Sequence, residues 1–234
     1  MRDAIPQRVV GIAGIVFVVA LLVGGFAIAP SDMPKVNESA ARWASYVADH
    51  RNRLQVSNYV NGIGFVALLF FTAALSNVFA RIEGPLRGPS TLIIVGGATT
   101  IAVAALGGTI SAVLAYRTGP GSDPGVVRAL VDGQTLAFTV IGFPAAVLLA
   151  GGGICVFRNG GLPRWLGGLA LLGALLSLAG AGAQAATGTF GNDDVFSAIG
   201  FASFIVLLLW VLLTSILLGL RGFRGEAGPA MAPA

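Results

Sequence analysis

Charge is scarce in this sequence. Only 10% of its 234 residues are Asp, Glu, Lys or Arg, and the mean hydropathy is +0.86. A water-soluble chain of this length does not sustain that balance, so the composition predicts a polytopic membrane protein. The single cysteine, Cys155, excludes an intrachain disulfide and a cysteine-built metal cage. The single histidine, His50, excludes a bis-histidine haem. HExxH, GxSxG and Walker-type loops are missing. The run Gly151, Gly152, Gly153 falls inside an apolar span and lacks the Lys-Ser/Thr that holds phosphate, so it reads as helix packing. Lysine occurs once, at Lys35, and no basic cluster interleaved with aromatics lies outside the first loop, so nucleic acid is not an expected partner. No cofactor is expected.

Apolar runs are what the chain has in abundance. Six of them approach the ~20 residues needed to cross a hydrocarbon core: about 9–29, 57–80, 90–116, 134–157, 162–187 and 195–220. The fold class expected is all-α, a bundle of six transmembrane helices forming one domain over residues 1–220. The Gly/Pro/Ala-rich tail, 221–234, is expected to be disordered and cytoplasmic. The first run ends Ala27-Ile28-Ala29, which resembles a signal-peptidase site, but it is longer than a usual signal core and reads as a retained helix.

Arginine placement orients the bundle. With the N-terminus inside, the inner segments carry Arg2, Arg8, Arg81, Arg87, Arg158, Arg164, Arg221 and Arg224 against Asp3, Glu83 and Glu226, a net +5. The outer segments come to −1, and together they give the chain's +4. Both termini are therefore expected in the cytoplasm. The inner turns, RIEGPLRGP and RNGGLPR, are tight Gly/Pro connections. The outer ones are longer, and 117–133 holds two Gly/Pro clusters around a short helical turn. Length on one face points to that face as the one meeting partners.

The densest polar stretch is 37–61, NESAARWASYVADHRNRLQVSNYVN. Glu38 precedes Arg42 by four residues and Asp49 precedes Arg53 by four, the orientation that supports a helix. Asn37 is the expected N-cap. Trp43, Val47, His50 and Leu54 share a face, while Arg42, Ser45, Asp49, Asn52 and Arg53 point elsewhere. The segment 37–56 therefore reads as an amphipathic outer helix running into the second span.

Within the spans the midplane is free of ionisable groups, which counts against pumps and ion-coupled carriers. Neutral polar residues gather in the outer half instead. Arg51, Gln55, Asn58, Asn61, Tyr116, Gln134 and Gln184 are the candidate lining of an outward pocket roofed by 37–56. The competing reading is that they join helices to one another. His50 is expected to pack rather than react, with Asp132, Asp193 or Asp194 the carboxylates available to it. Small residues at four-residue spacing mark close contacts: Gly173, Ser177, Ala181 and Ala185 in the fifth span, and Thr100, Ala104, Gly108 and Ala112 in the third. The sixth span is bulky all round and expected to face lipid over much of its surface. Pro144 should bend the fourth span near its middle.

Two segments, LPRWLGGLALLGALL and FIVLLLWVLLTSILLGLR, together with six spans and the opener WASYVADHRNRLQVSNYV, resemble a widespread group of uncharacterised six-helix actinobacterial membrane proteins of the domain-of-unknown-function type. The resemblance implies six helices in a bacterial plasma membrane and carries no functional residue. Three functions stay open: a non-catalytic protein binding lipid, a small molecule or a protein at its outer face; a passive channel or facilitator; and an intramembrane enzyme, disfavoured for want of an acid–base pair or metal set. Membrane lipids are certain neighbours of such a chain, and its oligomeric state is open.

Overall fold

The computed structural model describes residues 4–83, 88–119, 121–159, 161–185 and 195–224. Its elements are α1 (Ala4–Leu22, continued by a π-turn Val23–Ile28), α2 (Ala40–Glu83), α3 (Pro89–Arg117), α4 (Pro124–Val140), α5 (Gly142–Asn159), α6 (Arg164–Ala181, continued by a 3-10 turn Gly182–Ala185) and α7 (Val195–Arg224). No strand occurs among the described residues. Six helical segments are long and apolar enough to cross a bilayer, α4 and α5 together making one of them.

The segments close into a ring: α1 packs on α2, α2 on α3, α3 on α5, α5 on α6, α6 on α7, and α7 returns to α1. Apolar side chains fill the bundle, among them Phe17, Phe71, Leu75, Phe79, Leu148 and Trp210. Glycines set the closest crossings. A Cβ on Gly11 of α1 would lie 2.7 Å from Gly219 Cα on α7, and one on Gly180 of α6 would lie 2.7 Å from Gly200 Cα. Where α3 meets α5 both helices supply one: a Cβ on Gly96 would lie 2.8 Å from Leu148 Cα, and one on Gly151 would lie 3.0 Å from the Ile93 amide. Side chains at these positions would force the backbones apart.

Three members of the fifth-span stripe, Gly173, Ser177 and Ala181, are buried, and the side chain of Ala185 lies outside what the structure describes; Gly173 meets Val206, and Ser177 shares a 2.6 Å hydrogen bond with Ser203. The α3 stripe is shifted by one position. Thr100 and Ala104 are buried, but Gly107 is the glycine turned inward, against Phe138, while Gly108 faces open space. The last span keeps much of its surface outward, as expected, with Phe201, Leu209, Ile216 and Leu220 exposed, while one face turns inward. α7 is wedged between α1 and α6, and Trp210, Val211, Thr214 and Ser215 are fully buried. Trp210 fits because Gly152 leaves room for its ring and Phe71 meets it edge-on, with centroids 6.1 Å apart.

The fourth span starts ten residues before the expected Gln134, at Pro124. Asp123 caps it, accepting from the amides of Gly125 and Val126, and Pro124 occupies the first helical position, where no amide is needed. Its break falls at Ile141, three residues before Pro144, which has no amide to return to the preceding turn. At the other end of the chain α7 continues to Arg224, so 221–224 of the expected tail is helical. Residues 225–234 lie outside the described residues.

α2 has 44 residues, about 66 Å at ~1.5 Å per residue, roughly twice the ~30 Å hydrocarbon core. Its first part therefore stands clear of the bundle. There it builds a second apolar cluster of Trp43, Ala44, Tyr46 and Val47 with Leu114 of α3 and Val127 and Val131 of α4. This structure is termed the cap below. The opposite face holds the start of α1 and the end of α7.

Candidate functional site

The cap is an amphipathic helix tied down by named bonds. Its N-cap is Ser39, whose Oγ accepts from the Arg42 amide at 3.2 Å, in place of the expected Asn37. Glu38 and Arg42 pair as expected, at 3.8 Å. The second expected pair is spent otherwise: Asp49 accepts from Ser45 Oγ at 3.4 Å, and Arg53 Nε donates to the Ile28 carbonyl at 3.0 Å. The apolar face is as expected, with Trp43 and Val47 buried and His50 and Leu54 half-buried.

Three arginines bind carbonyls at the ends of helices or in the strap between them. Arg53 reaches the end of α1, and Arg51 Nη2 donates to Thr118 O at the end of α3, 2.9 Å away. Both guanidinium groups sit where the helix dipole is negative and carbonyls lack helical partners. Arg128 of α4 donates to the carbonyls of Val36 and Glu38 and pairs with Asp132 at 3.1 Å. Trp43 Nε1 adds a bond to Lys35 O at 3.1 Å. The strap of residues 29–39 is thereby fastened to α2 and α4.

His50 packs against Tyr46, with ring centroids 5.0 Å apart. Its Nδ1 lies 3.0 Å from Tyr46 O, which only accepts, so that nitrogen carries the hydrogen. The carboxylate it meets is Asp32 on the strap, 3.6 Å away, and not Asp132, which pairs with Arg128. Asp193 and Asp194 lie outside the described residues. Beside His50 a hollow of ≈ 260 Å³, open to solvent, is lined by Ala48, Asp49, His50, Arg51, Asn52 and Arg53.

The seven candidate lining residues divide into three groups. Arg51 and Asn58 join α2 to α3: Asn58 Nδ2 donates to Ser111 Oγ at 3.1 Å, one rung below the Arg51–Thr118 bond. Asn61 turns the other way, toward Gly24 of α1, and its buried Oδ1 has no hydrogen-bond partner among the described residues. Tyr116 and Gln184 are exposed, and Gln55 and Gln134 half-exposed. Gln184 belongs to the short turn after α6, which α4 touches only lightly.

The family model of a domain of unknown function, DUF4386, matches residues 12–214. The chain belongs to this family. No curated protein and no solved structure matches. In this DUF4386 chain the matched segment runs from within the first span to within the sixth and takes in the whole cap, so the arginine ties lie within the family's domain.

A polar cluster at the opposite face escaped the sequence reading. Glu83 ends α2 and accepts from Ser90 Oγ at 2.6 Å, from the Ser90 and Gly88 amides at 3.1 and 3.4 Å, and from Cys155 Sγ at 3.2 Å. One carboxylate thus caps the start of α3 and holds α5 to it. Its oxygens are occupied by these donors, so it fastens α2, α3 and α5 together. A carboxylate seven residues before the serine of a Gly-Pro-Ser helix start was the available signal.

Proposed function

We propose that this protein is a non-catalytic membrane protein that binds a lipid, small molecule or protein at its cap. The observation that carries the reading is the cap itself: an apolar core of its own, held to three helix ends or connections by arginine–carbonyl bonds. Joining two spans requires only a short turn. A folded platform that costs this many ordered side chains is what a binding face needs. The open hollow beside His50 is smaller than the roughly 300–1,000 Å³ of enclosed ligand sites, which favours a headgroup or a peptide segment lying across the surface over an enclosed molecule.

In this reading Arg51 and Asn58 position α2, Gln55, Tyr116, Gln134 and Gln184 supply the contacts, and Asn61, turned toward α1, takes no part. The arginine asymmetry supports placing the cap outside, with both termini in the cytoplasm. The resemblance to actinobacterial proteins supports a bacterial plasma membrane. A passive facilitator is the second reading. The aromatic and aliphatic packing through the bundle, with Phe71 against Trp210 at its centre, weighs against it.

Copurification of the intact protein in native lipid, followed by mass spectrometry of the complex, tests the proposal. Wild type is expected to retain a bound species that the double variant Gln55→Leu, Gln134→Leu releases. Equal retention by both would overturn the assignment.

A further inference from the structure

We propose that the turn between α5 and α6 holds an anionic glycerophospholipid, with Arg158 and Arg164 on its phosphate and Phe157 and Trp165 beside its glycerol and acyl chains. One membrane-crossing segment ends at Arg158 and the next begins at Arg164. Both guanidinium groups therefore belong at the level of lipid headgroups and not in the hydrocarbon. Both arginines are exposed. Cys155, one turn before Arg158, bonds to Glu83 at the far end of α2, so this turn lies opposite the cap.

Charge at this turn is unbalanced. Neither arginine has an ion pair or a hydrogen-bond acceptor among the described residues. The one described acid of this face is Glu83, and its oxygens are taken up by Ser90, Gly88 and Cys155. The cap treats its arginines differently. Arg51, Arg53 and Arg128 spend donors on carbonyls, and Arg42 pairs with Glu38. Two guanidinium groups at headgroup depth are complementary to phosphate oxygens, which arginine binds through paired donors.

Aromatic rings select a lipid over a soluble anion. Their order is mirrored across the turn: Phe157 precedes Arg158 and Trp165 follows Arg164, so each ring lies one residue nearer the hydrocarbon. Phe157 is 45% exposed and Trp165 55%. The Phe157 ring lies against α6, where a Cβ on Gly167 would be 3.0 Å from its Cε2. A Cβ on Gly153 would lie 3.0 Å from Gly167 O, so the two helices meet at backbone distance just before the turn. Gly161, at φ +79°, takes the left-handed conformation the reversal needs. An outward ring beside an outward cation suits an amphiphile, apolar below and charged above. Anionic lipids supply the net charge that zwitterionic ones lack. The site shares no residue with the cap, so this proposal and the ligand reading above fail separately.

Native mass spectrometry of the intact protein tests the site, from micelles doped equally with phosphatidylglycerol and phosphatidylcholine of matched chains. Wild type is expected to retain phosphatidylglycerol over phosphatidylcholine by roughly tenfold. The double variant Arg158→Gln, Arg164→Gln should bring the ratio to within about twofold of one. The pair Arg42→Gln, Arg117→Gln removes as much charge on the cap side and should leave the ratio unchanged. Should the double variant at the turn fail to fold, either single variant takes its place and should lower the ratio about threefold. Equal retention of the two lipids by wild type, as arginines that serve orientation alone would give, overturns the proposal. So does a preference that the variants at the turn leave unchanged, or one that falls equally in the cap-side pair.

Discussion

Arg51 of α2 donates from Nη2 to the carbonyl of Thr118, 2.9 Å away and 67 residues along the chain. The bond closes the end of α3 with a cation from the cap, so the platform and the bundle are braced against each other. Lysine does not reproduce it, because its point charge lacks the planar fork of donors. Arg51→Ala is expected to cost about 1 kcal/mol, and Arg51→Lys to recover less than half of it. Melting curves of the three proteins in one detergent check this.

Trp43 is 3% exposed and anchors the cap's apolar cluster. Trp43→Ala removes the largest ring of a small core and should cost the cap about 3 kcal/mol. The spans do not rest on Trp43, so the loss should be local. Limited proteolysis is expected to cut within 30–56 while the transmembrane fragments stay intact. A variant that unfolds throughout would show that the cap is not a separate body.

Glu83 gathers donors from Ser90, Gly88 and Cys155. Glu83→Ala strands the start of α3 and is expected to destabilise by about 2–3 kcal/mol. Glu83→Gln keeps an acceptor and should cost about 1 kcal/mol. Cys155→Ser preserves a donor and should stay within about 1 kcal/mol of wild type. The ordering Ala, Gln, Ser, read from chemical or thermal denaturation, is the check.

These fastenings show what a single sequence does and does not disclose. The six spans, the helical cap and the bent fourth span follow from local signals: apolar run length, the Glu38–Arg42 spacing and Pro144. The N-cap at Asp123 was equally readable, since an acid before Pro-Gly opens a helix, and a loop was expected there because the glycines and prolines outweighed it. Bonds between distant residues were not readable. Ser57 to Gly24 and Asn58 to Ser111 depend on the register between helices, which the periodicity of either helix leaves free. Asp32 reaches His50 only because the strap folds back over α2, and Trp210 is buried because Gly152 lies opposite, two facts held in different spans.

The sidedness proposed from arginine counting is open to direct test. In a Cys155→Ser background, single cysteines at Ser31, Ser122 and Asn192 are expected to react with an impermeant thiol reagent in intact cells. Cysteines at Gly84 and Gly160 should be protected until the membrane is opened. The reverse pattern would turn the cap to the cytoplasm.

Hydrogen exchange tests the binding role of the cap most directly. Amide exchange would be compared between the protein in patches of its native membrane and the same protein stripped into detergent and reconstituted in pure synthetic lipid. A ligand held at the cap predicts faster exchange after stripping within 40–56 and 118–131, with α5, α6 and the Glu83 end of α2 unchanged. Equal exchange at the cap in both preparations, or a change confined to the opposite face, would contradict the account.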